Sequence, residues 1–213
     1  MDFVELVEIV GDEPVFETGL LLAGPIKSAD VQRQLSRWTK AGRLYQLRRG
    51  LYALAPPYQK TKPHPFLVAN RMVQGAYVSL QSALAFYGLI PEHVPVVTSV
   101  TTARPHRWET PLGNFEFRHI KADLFWGYRL VDVGDTQQAF IARPEKAILD
   151  LVHLEPNADS SEYLRELRLQ NLEKLDLARL QDQAGATGSP KLRRAAATIA
   201  NLARIEAADY EIL

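Results

Sequence analysis

Thirteen consecutive residues, Ala29 to Ala41, contain neither proline nor glycine, and Gly42 stands where a helix C-terminus belongs. At about 100° per residue from Val31, the side chains of Val31, Leu35 and Trp38 fall near about 0°, 40° and −20°. Arg33, Ser36, Arg37 and Lys40 fall near about 200°, 140°, 240° and 180°, with Gln34 on the flank at about 300°. A helix so divided must bury its apolar stripe and turn its cationic stripe outward. Ser28 is placed to cap it, and Asp30 suits the positive first turn.

The charge of the chain is distributed in the same lopsided way. The formal total is zero. Residues 1–26 nevertheless carry six acidic side chains and no Lys or Arg, whereas residues 27–62 carry nine basic ones against Asp30 alone. The remainder is close to balanced. Positive charge concentrated on a short segment is what a surface for a polyanion requires.

The neighbouring segments supply a scaffold. Asp2 to Val10 mixes apolar and acidic residues at helical spacing and stops at Gly11; Pro14 to Gly24 reads as a short strand leading into a second, apolar helix. After the basic helix, strand-like stretches flank Arg48-Arg49-Gly50, where Gly50 can supply the positive φ of a tight hairpin. Acidic helix, apolar helix, basic helix and arginine-tipped hairpin follow one another in the order of a winged helix-turn-helix. In that motif the last helix enters the major groove. Arg33, Gln34 and Arg37 are then the candidate base readers, since Arg pairs bidentately with guanine and Gln with adenine. Ser28, Ser36 and Lys40 lie on the same helix, and Arg48 and Arg49 at the hairpin tip are placed for phosphate or the minor groove. Lys60 and Lys62 would add backbone contacts.

Four prolines between Pro56 and Pro65 predict a stiff, extended linker and a boundary. Beyond it the pattern predicts an α+β unit with a mostly antiparallel sheet. Its helices lie at 66–74, at 80–87 capped by Ser79, and at 145–154 opened by Pro144; its strands lie at 76–78, 94–102, 115–120, 128–133 and 138–142. From Asn157 onward the chain is helical: Asp159-Ser160-Ser161-Glu162 offers a cap for 163–171, and helices follow at 172–183 and from Lys191 to about Ala207. The expected organisation is a winged unit at 1–58, an α+β unit at 64–156 and a helical extension at 157–213 packed on the second unit.

Other chemistry finds less support. There are no cysteines, which excludes disulfides, thiolate metal sites and cysteine nucleophiles. The five histidines are dispersed without metal-ligand spacing, so neither a metal nor a cofactor is expected. Ser79 and Ser82 lack a nucleophile-elbow context. The best enzymatic alternative is a Mg²⁺-dependent nuclease built on Asp132, Asp135, Glu145 and Lys146. Adjacent Glu145 and Lys146 point in different directions on any regular element, which favours a structural role. A winged module used for protein contacts is the third alternative. No apolar run reaches the ~18 residues of a membrane span, and the acidic N-terminus is unlike a signal peptide, so a cytoplasmic protein is expected.

Five stretches in order carry a family resemblance: Leu47-Arg48-Arg49-Gly50-Leu51-Tyr52, the block from Tyr77 to Pro91, Thr98-Ser99-Val100-Thr101-Thr102, Gly113-Asn114-Phe115 before Phe117-Arg118-His119-Ile120, and Ala142-Arg143-Pro144-Glu145-Lys146-Ala147-Ile148-Leu149-Asp150-Leu151. Together, over residues 14–155, they resemble the antitoxins of type IV toxin–antitoxin systems, the AbiEi family. The resemblance implies a winged-helix DNA-binding unit and an antitoxin unit in a non-enzymatic repressor. Such a protein binds inverted repeats at its own promoter and represses its operon; since this chain has no obvious dimer stripe, a monomer or weak dimer assembling on DNA is expected. Such a protein also opposes a nucleotidyltransferase toxin without forming a stable complex with it.

Overall fold

The computed structural model describes residues 1–22, 27–92 and 94–210. The chain is mixed α+β, with eight α-helices and two sheets among the described residues.

The first helix, α1 (Phe3–Val10), is fixed at its start by a reciprocal cap: the Glu5 amide donates to Asp2 Oδ1 at 2.9 Å, and the Asp2 amide donates to Glu5 Oε2 at 2.6 Å. Strand β1 (Phe16–Glu17) follows and leads into a 3₁₀ turn, Thr18–Leu22. The expected second helix is thus a 3₁₀ turn as far as Leu22, and the rest of that expectation lies outside the described residues. Helix α2 (Ser28–Lys40) comes next, then strands β2 (Leu44–Arg48) and β3 (Leu51–Leu54). Gly50 closes the hairpin at φ +83°, a conformation that costs a side-chain-bearing residue. β3 lies between β1 and β2, antiparallel to both.

All four residues of β3 are buried, and the pleat divides them. Tyr52 and Leu54 join Val31, Leu35 and Trp38 in a core shared with α1, whereas Leu51 and Ala53, with Leu47 of β2, face the core of the second unit. The proline segment therefore joins two units that share a packed hairpin, rather than spacing them apart.

The second sheet has the strand order β6-β7-β5-β4-β9-β8, with β4 at Tyr77–Val78, β5 at Val96–Thr101, β6 at His106–Thr110, β7 at Gly113–His119, β8 at Tyr128–Gly134 and β9 at Gln137–Ala142. Its pairings are antiparallel except β5 with β7 and β4 with β9. Strand β6 has no counterpart in the sequence expectations: His-Arg-Trp-Glu-Thr carries little apolar alternation and pairs as an edge strand.

Helices α3 (Pro65–Met72), α4 (Leu80–Phe86) and α5 (Pro144–Leu154) pack on this sheet. α5 buries every residue from Glu145 to Val152, because the sheet side and the later helices enclose it together. Those helices are α6 (Ser161–Glu166), capped by Ser160 Oγ, α7 (Leu177–Ala186) and α8 (Pro190–Tyr210). The single helix expected at 172–183 is instead a 3₁₀ turn, Leu172–Lys174, followed by α7. The extension docks through Leu180, Leu192, Ala195 and Ile199 in the second core.

Candidate nucleic-acid interface

Helix α2 places its residues by period alone. Val31 and Leu35 are 0 % exposed and Trp38 3 %, and burying three such side chains contributes about 1.5–3 kcal/mol each. With that stripe anchored, Arg33, Ser36, Arg37 and Lys40 are all exposed. The helix starts differently from expectation. Ser28 is its first residue and exposed, Lys27 occupies the cap position, and no side chain caps the first turn. The role expected of Ser28 as a cap is therefore corrected: it is a surface hydroxyl at the N-terminal end of the helix.

The outward residues differ in what holds them. Arg33 pairs with the Asp30 carboxylate one turn back. Such a surface pair is worth about 0–1 kcal/mol, little enough to be exchanged for another anion. Arg37 lies with its guanidinium carbon 5.9 Å from the Trp38 ring centroid, within cation–π range. Gln34 is half-buried, and its carbonyl oxygen is covered without a partner. Gln32 is exposed on the same outer face as Arg33 and Ser36. Its helical angle, about 100° from Val31, is the signal that could have found it.

The hairpin divides its two arginines. Arg49 is exposed at the tip. Arg48 turns toward the second unit, where Nε donates to the Met72 carbonyl at 2.7 Å and Nη2 to the Arg71 carbonyl at 3.2 Å. Glu17 lies 3.6 Å from the same guanidinium. A guanidinium bound on several sides is structural, so the expected free pair of arginines reduces to Arg49. Lys60 lies 3.8 Å from Asp12, and Lys62 contributes its carbonyl to Gln137 Nε2.

The carboxylates weighed for catalysis do not converge. Asp132 is exposed and accepts the Gly134 amide at 2.8 Å; Asp135 sits in the β8–β9 turn. Glu145 is buried beneath the helical extension, where Oε1 accepts the Asp176 amide at 2.9 Å. Among the described residues no group of three or more His, Asp or Glu side chains is arranged to hold a metal ion.

Lys146 ion-pairs with Asp150 in the interior, both 2 % exposed or less. Asp150 also accepts from Ser79 Oγ at 2.7 Å and Tyr77 Oη at 3.0 Å. Burial and the neighbouring carboxylate hold the Tyr77 phenol far above its ordinary range, so it remains a donor. The Lys146 ammonium lies 4.7 Å from the Trp126 ring centroid. Ser79 precedes α4 as expected, but its hydroxyl serves Asp150 instead of capping the helix. Buried, with each of its polar side chains partnered within it, this cluster ties β4 to α5.

No protein-family model matches the chain, and no curated protein sequence matches it. No helix among the described residues is long and apolar enough to cross a membrane.

Proposed function

We propose that residues 1–58 form a winged helix-turn-helix that binds double-stranded DNA, and that the chain is a sequence-specific transcriptional repressor. The observation that carries this reading is the division of α2: Val31, Leu35 and Trp38 are buried, while Gln32, Arg33, Ser36, Arg37 and Lys40 are presented to solvent on a helix able to enter a groove about 12 Å wide. The order α1, β1, 3₁₀ turn, α2, β2, β3 supports it, as does the exposed Arg49 at the turn of the β2–β3 hairpin beside that helix. Arg33 and Arg37 read bases, with Gln32 or Gln34 beside them; Lys40 and Arg49 hold phosphates. The resemblance to type IV antitoxins extends the reading: an operator of inverted repeats upstream of its own gene, and opposition to a nucleotidyltransferase toxin.

Gel-shift titration of the full chain on its own upstream region, across salt concentrations, tests the DNA reading. Neutralising about four phosphates per protomer gives a slope of log K against log salt near about −3.6. A flat response retires it. Induction of a neighbouring nucleotidyltransferase gene with and without this chain tests the antitoxin role, with growth restored only when both are present.

A further inference from the structure

We propose that Asp30 is a specificity-determining residue of the DNA surface, accepting the N4 amine of a cytosine while it holds Arg33 toward a guanine beside it. The inference rests on the DNA-binding reading above and adds to it the one acidic side chain of α2.

Spacing and geometry bring Asp30 into that surface. Asp30, Arg33, Gln34 and Arg37 stand at i, i+3, i+4 and i+7, one row along the helix. All four line a single recess of about 450 Å³. Asp30 occupies the first turn, and the N-terminal residues of a recognition helix are those that reach base edges. Its side chain is 45 % exposed. Arg33 Nη2 donates to Oδ1, and among the described residues nothing donates to Oδ2. One carboxylate oxygen therefore orients the arginine, and the other is left for a donor from outside.

Charge makes the position informative. Arg33, Arg37 and Lys40 draw any polyanion to α2, and a carboxylate among them opposes every phosphate they attract. Phosphate oxygens accept hydrogen bonds, so the DNA backbone has none to give Asp30. Base edges differ. Guanine N7 and O6 and thymine O4 are acceptors and repel a carboxylate; adenine sets its N7 acceptor beside N6; cytosine presents the N4 donor alone. A carboxylate in this row is thus favourable over a cytosine and costly elsewhere. Its bond to Arg33 adds to the selection, because a guanidinium already held in place loses less freedom when it meets O6 and N7 of guanine. An acidic side chain also suits the positive first turn of a helix, but that role leaves discrimination between duplexes unchanged.

The test is Asp30→Ala in the full chain, titrated on the upstream duplex, on its single-base variants and on an unrelated duplex across salt concentrations. Alanine preserves the helix, so the variant should melt close to the wild type. The unrelated duplex is expected to bind more tightly, with a salt slope steeper by about 0.9 as Arg33 is released to a phosphate. Preference for the upstream duplex should fall about tenfold, and the wild-type preference for one C·G pair should vanish. Equal tightening on every duplex, an unchanged preference, or a preference lost at an A·T pair instead overturns the inference; the DNA reading stands if Arg37→Ala still impairs binding. A wild-type chain without salt dependence overturns both.

Discussion

Arg48 Nε donates to the carbonyl oxygen of Met72 at 2.7 Å, so an arginine of the β2–β3 hairpin is bonded to the end of a helix on the far side of the proline segment. Arg49, its neighbour in sequence, remains at the surface. Two adjacent residues of the same type thus end in different places: one joins the units, and the other stays exposed to solvent.

That division predicts opposite behaviour. Arg48→Ala removes charge-assisted hydrogen bonds worth about 1.5–3 kcal/mol and leaves two carbonyls unmet. It should lower the urea midpoint by a corresponding amount. Arg49→Ala should leave the unfolding free energy within about 0.5 kcal/mol of wild type and weaken DNA binding equally across sequences. If Arg49→Ala lowers stability as much as Arg48→Ala, the division is refuted.

On the proposed DNA reading, base reading and phosphate holding separate along α2. Arg37→Ala is expected to cost about 1–3 kcal/mol on the preferred duplex and to reduce discrimination against altered ones. Lys40→Ala should weaken every duplex alike and flatten the salt slope by about 0.9. Competition titrations with single-base variants of the upstream duplex distinguish the two patterns.

The interior ion pair predicts a large asymmetry. Lys146→Met leaves a buried Asp150 without its counter-charge, and breaking such a pair from one side costs about 3–5 kcal/mol. Adding Asp150→Asn, which keeps partners for Ser79 and Tyr77, should recover part of that loss. A double-variant chain no more stable than Lys146→Met alone would mean that charge is not what the pair supplies. Gly127 belongs to the same packing: its φ is +77°, and an added Cβ would come 3.0 Å from Lys146 Cγ. Gly127→Ala should therefore destabilise through backbone strain and contact together, by about 1–3 kcal/mol.

Acid should weaken α3 through His64. Burial holds this imidazole below its ordinary range, and its Nδ1 accepts the Phe66 amide at 3.2 Å at the helix N-terminus. Because the folded pKa is depressed, the native chain binds fewer protons than the unfolded one. The stabilisation is complete above the unfolded value of about 6.5 and is lost as pH falls through the folded value. His153, also held low by burial, contributes in the same direction. The informative quantity is thus the difference between wild type and His64→Asn, which keeps an uncharged cap acceptor. Parallel curves of stability against pH from 7 to 5 for the two chains would contradict the role given to His64.

Much of the architecture is legible in the residues because it is governed by short-range periodicity. The spacing of Val31, Leu35 and Trp38 fixes which side of α2 is buried, whatever it packs against, and so fixes which side Arg33, Arg37 and Lys40 present. Gly50 marks the hairpin, and Pro144 marks the start of α5, for equally local reasons. Strand β6 escapes such reading, since an edge strand half open to water need not alternate.

The sequence by itself determined the amphipathic division of α2, the hairpin beside it and the mixed α+β character of the rest, because each depends on backbone preference and side-chain period within one element. Only the tertiary structure decided that Arg48 is spent on Met72, that Ser79 answers to Asp150 instead of to its own helix, and that Leu51 and Tyr52 serve two different cores. Those outcomes depend on which distant surfaces meet. A hydrogen-bonding or charged side chain is committed by the partner that packing brings to it, and no spacing within its own element specifies that partner.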